Sequence, residues 1–482
     1  MATMTTESTT GPVAAGLPSV GPGARQGMSL AGLCGLVVVV AGFLIGIQPL
    51  RDNSFLTHLA TGRLILDTGS VPTTDPYSFT ALGEPWTVQS WLASVAYAGA
   101  EAVGGLAAIR LLVATATALL AWLLWRLTEP AGAVVARVGL VAPVLLIGAE
   151  SWTERPLLFG LVGLAGVHLL ADGRGRAWWA LPIFAVWVNV HGSFPLGGVL
   201  VVALLAGRWL DREPVTREAR VLGWSVLGVL AGALNPVGPR LLVFPLELLS
   251  KHESLETIRE WRPPVYGEPA TQVFVALAVV AALLFVRHRS FRSIVPSVVF
   301  AAAAFTGARN IAPAAIVLLA AMAPALAGVG RDHGAVRRPR LGLVAVAVAL
   351  LAGVAALGSL TGPAVDLRGY PVEALDWMEA NGHLGPDSRV VTRDFAGNFL
   401  EARKDTDVQV FIDDRYDMYP LALIRDYRSI LDADPGWEDR LAGYEPTAVL
   451  VDEDSELHEA IQDVAGWEVV HRDELWLVAL PV

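Results

Sequence analysis

Apolar side chains recur in eleven long blocks along this chain, at 28–50, 106–125, 133–149, 157–171, 177–191, 194–208, 221–236, 270–286, 293–307, 311–328 and 341–360. Continuous apolar runs of this length predict helices, and the longer ones predict helices that cross a bilayer. Beyond residue 360 the pattern changes. "YPVEALDWMEANG", "PLALIRDYRSILDAD", "PGWEDRLAGY" and "SELHEAIQDV" carry helical spacing, whereas "SRVVTRDF", "VQVFIDDRY", "TAVLVDE", "WEVVHRD" and "LWLVALP" alternate or run apolar like strands. The expected fold is a mainly α membrane bundle of about eleven transmembrane helices with a small soluble α/β C-terminal domain. Three divisions follow: a disordered tail at 1–27, a polytopic membrane domain at 28–360 with an external loop at 51–105, and an extracytoplasmic α/β domain at 361–482.

Composition sharpens this picture. Apolar residues make up 54% of the chain and charged ones 17%, outside the usual range of a soluble globular protein. The net charge of −11 hides a division. Residues 361–482 hold 27 acidic and 10 basic side chains, a net of −17, which leaves +6 for the preceding 360. So acidic a surface argues against nucleic acid as a partner. The single cysteine, Cys34, forms no internal disulfide and no cysteine-rich metal site.

Arginines fall in alternate loops: Arg25 before the first block, Arg126 and Arg137 after the second, Arg174 and Arg176 after the fourth. Arg208, Arg212, Arg217 and Arg220 follow the sixth, "RHRSFR" the eighth and "RDHGAVRRPR" the tenth. Short cytoplasmic loops retain Lys and Arg, so this alternation puts the N-terminus inside and the C-terminus outside a cytoplasmic membrane. Counting "WLASVAYAGAEAVGG" (91–105) as a span would invert every later loop, and an amphipathic helix in the outer interface suits it better. The external segments then carry the candidate chemistry.

Asp52 stands just beyond the first block, where a carboxylate either ends a helix or enters a cavity. Asp75 precedes a proline, a common turn initiator as well as a candidate acid or base. His58 and Arg63 share the segment "FLTHLATGR". Glu150, Glu154 and Arg155 lie in "ESWTERP", where a local ion pair is the simpler alternative. His191 in "NVHGSFP" and Arg309 with Asn310 in "TGARN" sit between consecutive apolar blocks, where irregular polar backbone is tolerated only in protein or beside a wet cavity. Asp413, Asp414, Arg415 and Asp417 close the strand-like "VQVFIDDRY" and suit either acceptor binding or structural ion pairing. There is no P-loop, no GxGxxG between strand and helix, no HExxH and no GxSxG.

The stretch "FLTHLATGRLILDTGSVPTTDPYSFTALGEPWTVQSWLA" behind a helix ending in Asp resembles the first external loop of bacterial proteins in the glycosyltransferase C superfamily. "RPLLFGLV", "VWVNVHGSFPLG", "NPVGPRLL" and "GNFLEARKDTDVQVFIDDRYDMY" resemble an uncharacterised bacterial branch of it with a soluble tail. The resemblance implies sugar transfer from a polyprenyl-phosphate donor to a cell-envelope glycan, lipid or protein acceptor, with membrane lipid around the bundle. Asp52 would be the general base, with Asp75 and Glu154 the other candidate catalytic carboxylates. His58, Arg63, Arg155, His191, Arg309 and Asn310 would bind donor phosphate or acceptor. That branch carries two acidic residues spaced by one in the first loop. This chain has Asp52 and then Ser54, and Glu150 or Glu154 has to stand in for a second acidic motif. No cofactor is implied with certainty, and a divalent metal ion stays open with no ligand set assigned. Two other functions fit a polytopic chain. A lipid or saccharide transporter should show repeated halves and intramembrane charges, and no repeat is evident. A non-catalytic membrane scaffold is the third.

Overall fold

The computed structural model describes residues 27–251, 258–330, 337–403 and 408–482. The tail expected at 1–27 lies, apart from Gly27, outside the described residues.

A helix occupies each of the eleven apolar blocks. α1 (Leu30–Gly46) is capped by Ser29, whose hydroxyl accepts from the Gly32 N–H at 3.0 Å. α2 (Ser54–Thr68) and α3 (Trp91–Leu127) come next, followed by α4 (Val134–Ser151), α5 (Leu157–Ala171), α6 (Ala180–Val190), α7 (Phe194–Leu210), α8 (Thr216–Gly232) and α9 (Arg240–Ser250). α10 (Pro269–Arg287), α11 (Phe291–Thr306), α12 (Ile311–Met322) and α13 (Pro339–Thr361) complete the bundle. All twelve residues of α12 are buried, which makes it the central helix, whereas α13 turns Leu343, Leu350, Leu351 and Val354 outward. Outward leucine and valine on so long an apolar helix suit a lipid surface.

Five helical segments are long and apolar enough to cross a membrane: 91–131, α4, α10, 308–326 and α13. Five shorter ones are apolar, namely α1, α5, 177–190, α7 and α11. α8 belongs to neither group because Arg217, Glu218 and Arg220 fill its first turns. Length and hydropathy therefore mark ten apolar helical segments among the described residues, five of them long enough to cross a membrane.

α3 is two helices in one. Gly104 (φ −154°) and Gly105 (φ +63°, ψ −160°) leave helical geometry between them, and the left-handed φ at Gly105 suits glycine. The break separates residues 91–103 from an apolar 106–127. α2 lies across the first half of α3 at very short range. A Cβ on Gly62 would come 2.0 Å from the Ser94 carbonyl oxygen, so only glycine permits this crossing.

The C-terminal residues form a five-stranded sheet. β1 (Met28–Ser29) and β2 (Arg337–Arg338) make a separate two-residue ladder beside α1 and α13. The larger sheet has the order β4 (Gln409–Val410), β3 (Arg389–Thr392), β5 (Ala448–Asp452), β7 (Trp476–Pro481), β6 (Trp467–Arg472). β4, β3 and β5 are parallel and β7 and β6 antiparallel to their neighbours. Helices α14 (Val372–Ala380), α15 (Asp394–Ala402), α16 (Leu421–Leu431), α17 (Trp437–Gly443) and α18 (Glu456–Ala460) cover it. Every residue of β5 is buried, as expected of a central strand covered on both faces.

The sheet is docked on the loop between α2 and α3 by backbone pairing. Val410 N–H donates to the Tyr77 carbonyl (2.9 Å) and Phe79 N–H to the Val410 carbonyl (3.1 Å), so residues 77–79 extend the β4 edge. Leu50 and residues 364–366 exchange two further backbone bonds of 2.9 and 2.7 Å. α15 packs on α2. The helix at α15 is absent from the elements expected from sequence, because nine residues interrupted by Gly397 give too short a periodic run.

Candidate active site

The junction of α1 and α2 sets the site. The chain turns from α1 into α2 at Asp52, and the end of α4 brings Glu154 and Arg155 against that turn. Glu154 is buried, and its Oε1 accepts the backbone N–H of Asp52 at 2.6 Å and that of Arg51. These are otherwise unpaired donors at the entry to α2. The Asp52 carboxylate accepts the Arg155 Nε–H at 2.5 Å, the Thr153 hydroxyl at 3.0 Å and the Ser54 N–H at 3.1 Å. Arg155 also pairs with Glu260, on the short turn Arg259–Trp261. Glu150 is exposed, so of the two glutamates left open by the sequence only Glu154 enters the group.

The sheet supplies another carboxylate. Ser54 donates its hydroxyl to Asp414, just after β4, and Asp414 N–H donates to Asn398 Oδ1 at 3.0 Å. Asn398, fully buried on α15, reaches the Asn53 carbonyl at 3.3 Å. The position where a second acidic residue is missing from the first loop is thus met in space by an acidic residue 360 positions away. Sequence alone marked 413–417 as a dense polar cluster but held no signal of its neighbour.

The protonation pattern follows from burial. Burial pushes the Glu154 carboxyl up to about 7, against the two backbone N–H groups that favour its ionised form. Burial also lifts Asp414 to about 7, opposed by the Ser54 hydroxyl. His58 hydrogen-bonds Ser94 Oγ at 3.2 Å, and burial pushes its imidazole down to about 4 despite the nearby Asp52. The Arg309 guanidinium lies 3.9 Å over the Trp261 ring. His191 Nδ1 accepts the Ser193 N–H at 3.0 Å, and its ring is close enough to feel the charges of Arg309, Arg155 and His58. Asp52, Glu154, Arg155, His58, His191 and Arg309 therefore share one end of the bundle with Glu260 and Asp414.

Three of the residues singled out from sequence are engaged elsewhere. Asp75 is buried and accepts Tyr77 N–H (3.1 Å), Ser78 N–H (3.1 Å), the Ser78 hydroxyl (2.5 Å) and Arg415 Nη2 (2.6 Å). Arg415 in turn pairs with Asp413 and lies 4.4 Å over the Trp86 ring. Asp75 thus ties the loop between α2 and α3 to the sheet, and its four bonds leave no tie to Asp52. Arg63 makes a two-pronged pair with Glu101 (2.8 and 2.6 Å) and reaches the Ala402 carbonyl at 2.7 Å, which fastens α2 to α3 and α15. Asn310 turns its amide back to the Ala303 carbonyl at 3.1 Å and closes the end of α11.

Among the described residues no group of three or more His, Cys, Asp or Glu side chains is placed to hold a metal ion.

No protein-family profile and no curated protein sequence matches this chain. Its fold is similar to that of a solved archaeal oligosaccharyltransferase, AglB from Archaeoglobus fulgidus, determined with an inhibitory peptide and a dolichol-phosphate. The TM-score is 0.53 over 87% of this chain and 69% of that one, at 13% identity. At that identity the likeness defines a class of architecture, an apolar helical bundle carrying a small sheet region, and by itself assigns no reaction.

Proposed function

We propose that this chain is an integral-membrane glycosyltransferase that moves a sugar from a polyprenyl-phosphate donor to an acceptor outside the cytoplasmic membrane. The observation that carries the reading is the convergence at one end of the bundle. Asp52, Glu154, Arg155, Glu260 and Asp414, from four separate segments, meet there in a single network of hydrogen bonds and ion pairs. A chain whose bundle resembles an oligosaccharyltransferase and whose first loop, α4–α5 turn and segment after β4 each send a carboxylate to that point has the parts for acid–base chemistry on a lipid-borne substrate.

In this reading Asp52 takes the proton of an acceptor hydroxyl or amine as that atom forms a bond to the anomeric carbon. The bond from that carbon to the phosphate oxygen breaks, and its electron pair leaves with the phosphate. Arg309, stacked on Trp261 and with no ion-pair partner among the described residues, is placed to offset the developing charge. Arg155 holds the Asp52 carboxylate in position. Arg63, Asp75 and Asn310 support the walls rather than the reaction.

The test is transfer from radiolabelled polyprenyl-phosphate sugars by the purified chain in membrane extract, native against Asp52→Asn. A drop of about 100-fold or more in the variant is expected for loss of a general base. Equal rates, or no transfer from any donor, would remove the assignment.

A further inference from the structure

We propose that the end of the bundle opposite Asp52 is a second anion site, a pocket that takes the phosphate of an anionic phospholipid headgroup. The helices that build the Asp52 cluster run away from it and carry arginines at their far ends. α5 starts beside Arg155 and finishes at Asp172 and Arg174, α7 starts after Ser193 and finishes around Arg208, and α11 finishes short of Arg309 and starts around Arg292. Helices of 15 to 17 residues put these ends about 22 to 25 Å from the Asp52 side.

A cavity of about 280 Å³ opens between those far ends, lined by Arg174, Arg208, Arg217, Arg292, Asp172 and Pro324 among others. Its wall sets four guanidinium groups against one carboxylate. The grouping is built from below: fully buried Glu218 lies 3.3 Å from Arg208 and 3.2 Å from Arg292, so one carboxylate holds two guanidiniums side by side. Asp172 pairs with Arg292 at 2.9 Å. Exposed Glu213 and Glu129 reach Arg208 and Arg174 at 3.5 and 3.3 Å from outside the wall. Arg217 has no carboxylate partner among the described residues; its Nε donates to the Leu170 carbonyl at 2.8 Å, and Nη2 donates to that of Gly175. Guanidinium forks gathered this way match phosphate geometry.

The rim indicates what carries the phosphate. Trp178 and Trp179 follow Gly175 closely and stack at 4.5 Å, exposed by 41% and 50%, and Trp209 beside Arg208 is 68% exposed. Indoles at helix ends mark the headgroup level of a bilayer, and basic pockets between membrane helices at that level hold anionic headgroups. The site is independent of the reaction proposed above.

Detergent-purified, delipidated full-length chain is titrated with mixed micelles containing phosphatidylglycerol or phosphatidylcholine, and separately with inorganic phosphate. Intrinsic tryptophan fluorescence and thermal midpoint are followed in each. Phosphatidylglycerol is expected to bind in a salt-sensitive way and raise the midpoint, with the other two inert at equal concentration. Arg174→Gln and Arg217→Gln, made separately so that one informs if the other misfolds, are each expected to weaken binding at least tenfold, while Arg340→Gln, outside the pocket, leaves it unchanged. Equal binding of the two lipids, or native affinity in both folded pocket variants, overturns the site. Saturation by inorganic phosphate at the affinity of phosphatidylglycerol overturns the lipid as its occupant.

Discussion

Replacing Glu154 with glutamine removes one ionisable group from the wall of the candidate site while keeping the oxygen that the Arg51 and Asp52 N–H groups use. Burial lifts the folded carboxyl from 4.5 to about 7, so between those values the folded chain holds a proton that the unfolded chain has released. The stabilising contribution is therefore complete below about pH 4.5 and is lost as pH rises through about 7. Above that the native chain holds a buried carboxylate at a cost of about 3 kcal/mol, taking ~1.4 kcal/mol per pKa unit. Asp414 near 7 and Asp417 near 6 push in the same direction, so the variant keeps part of the slope. The assay is the thermal midpoint of native and Glu154→Gln protein in one detergent at constant ionic strength, between pH 5 and pH 8. The two should coincide near pH 5, and the variant should lead at pH 8 by roughly 5 °C. A difference that does not change with pH, or a variant that is less stable at pH 8, would refute the burial argument.

Arg415→Met leaves Asp75 and Asp413 buried without their cation and should destabilise the contact between loop and sheet by about 3–5 kcal/mol. The measurement is protease cleavage within 361–482, which should accelerate while the bundle stays intact. Gly62→Ala drives a methyl group against the Ser94 carbonyl and should cost about 1–3 kcal/mol with a matching loss of transfer activity, whereas Gly223→Ala, with open space around it, should leave thermal midpoint and activity unchanged.

The helical blocks were legible because apolar runs carry their own length and period, and the helix at 157–171 matches its block residue for residue. The strands beyond 360 were legible for the same reason. What escaped was every pairing that crosses the chain. Asp52 could be placed at a helix end, but its guanidinium partner lies 103 positions away. Asp75 carried a local turn signal, and it does make that turn with Tyr77 and Ser78, yet its partner Arg415 is invisible to any local window. Arg63 has the chemistry of a phosphate clamp in sequence and spends it on Glu101, because a salt bridge 38 residues away leaves no local trace. α15 was missed for a different reason: it becomes a helix by packing on α2, where tertiary contact outweighs a weak local pattern.

The pairing of residues 77–79 with the β4 edge also has a consequence in time. Arg415 is made 340 residues after Asp75, and at about 5–20 residues per second that interval is roughly 20 to 70 s. Throughout it the first loop stands with Asp75 lacking its cation and with the Tyr77 carbonyl and Phe79 N–H lacking their Val410 partners, while the whole bundle is still being threaded into the membrane. The last quarter of the chain is therefore what completes the first loop, and a ribosome that stops before residue 415 releases a bundle whose candidate site has no finished wall.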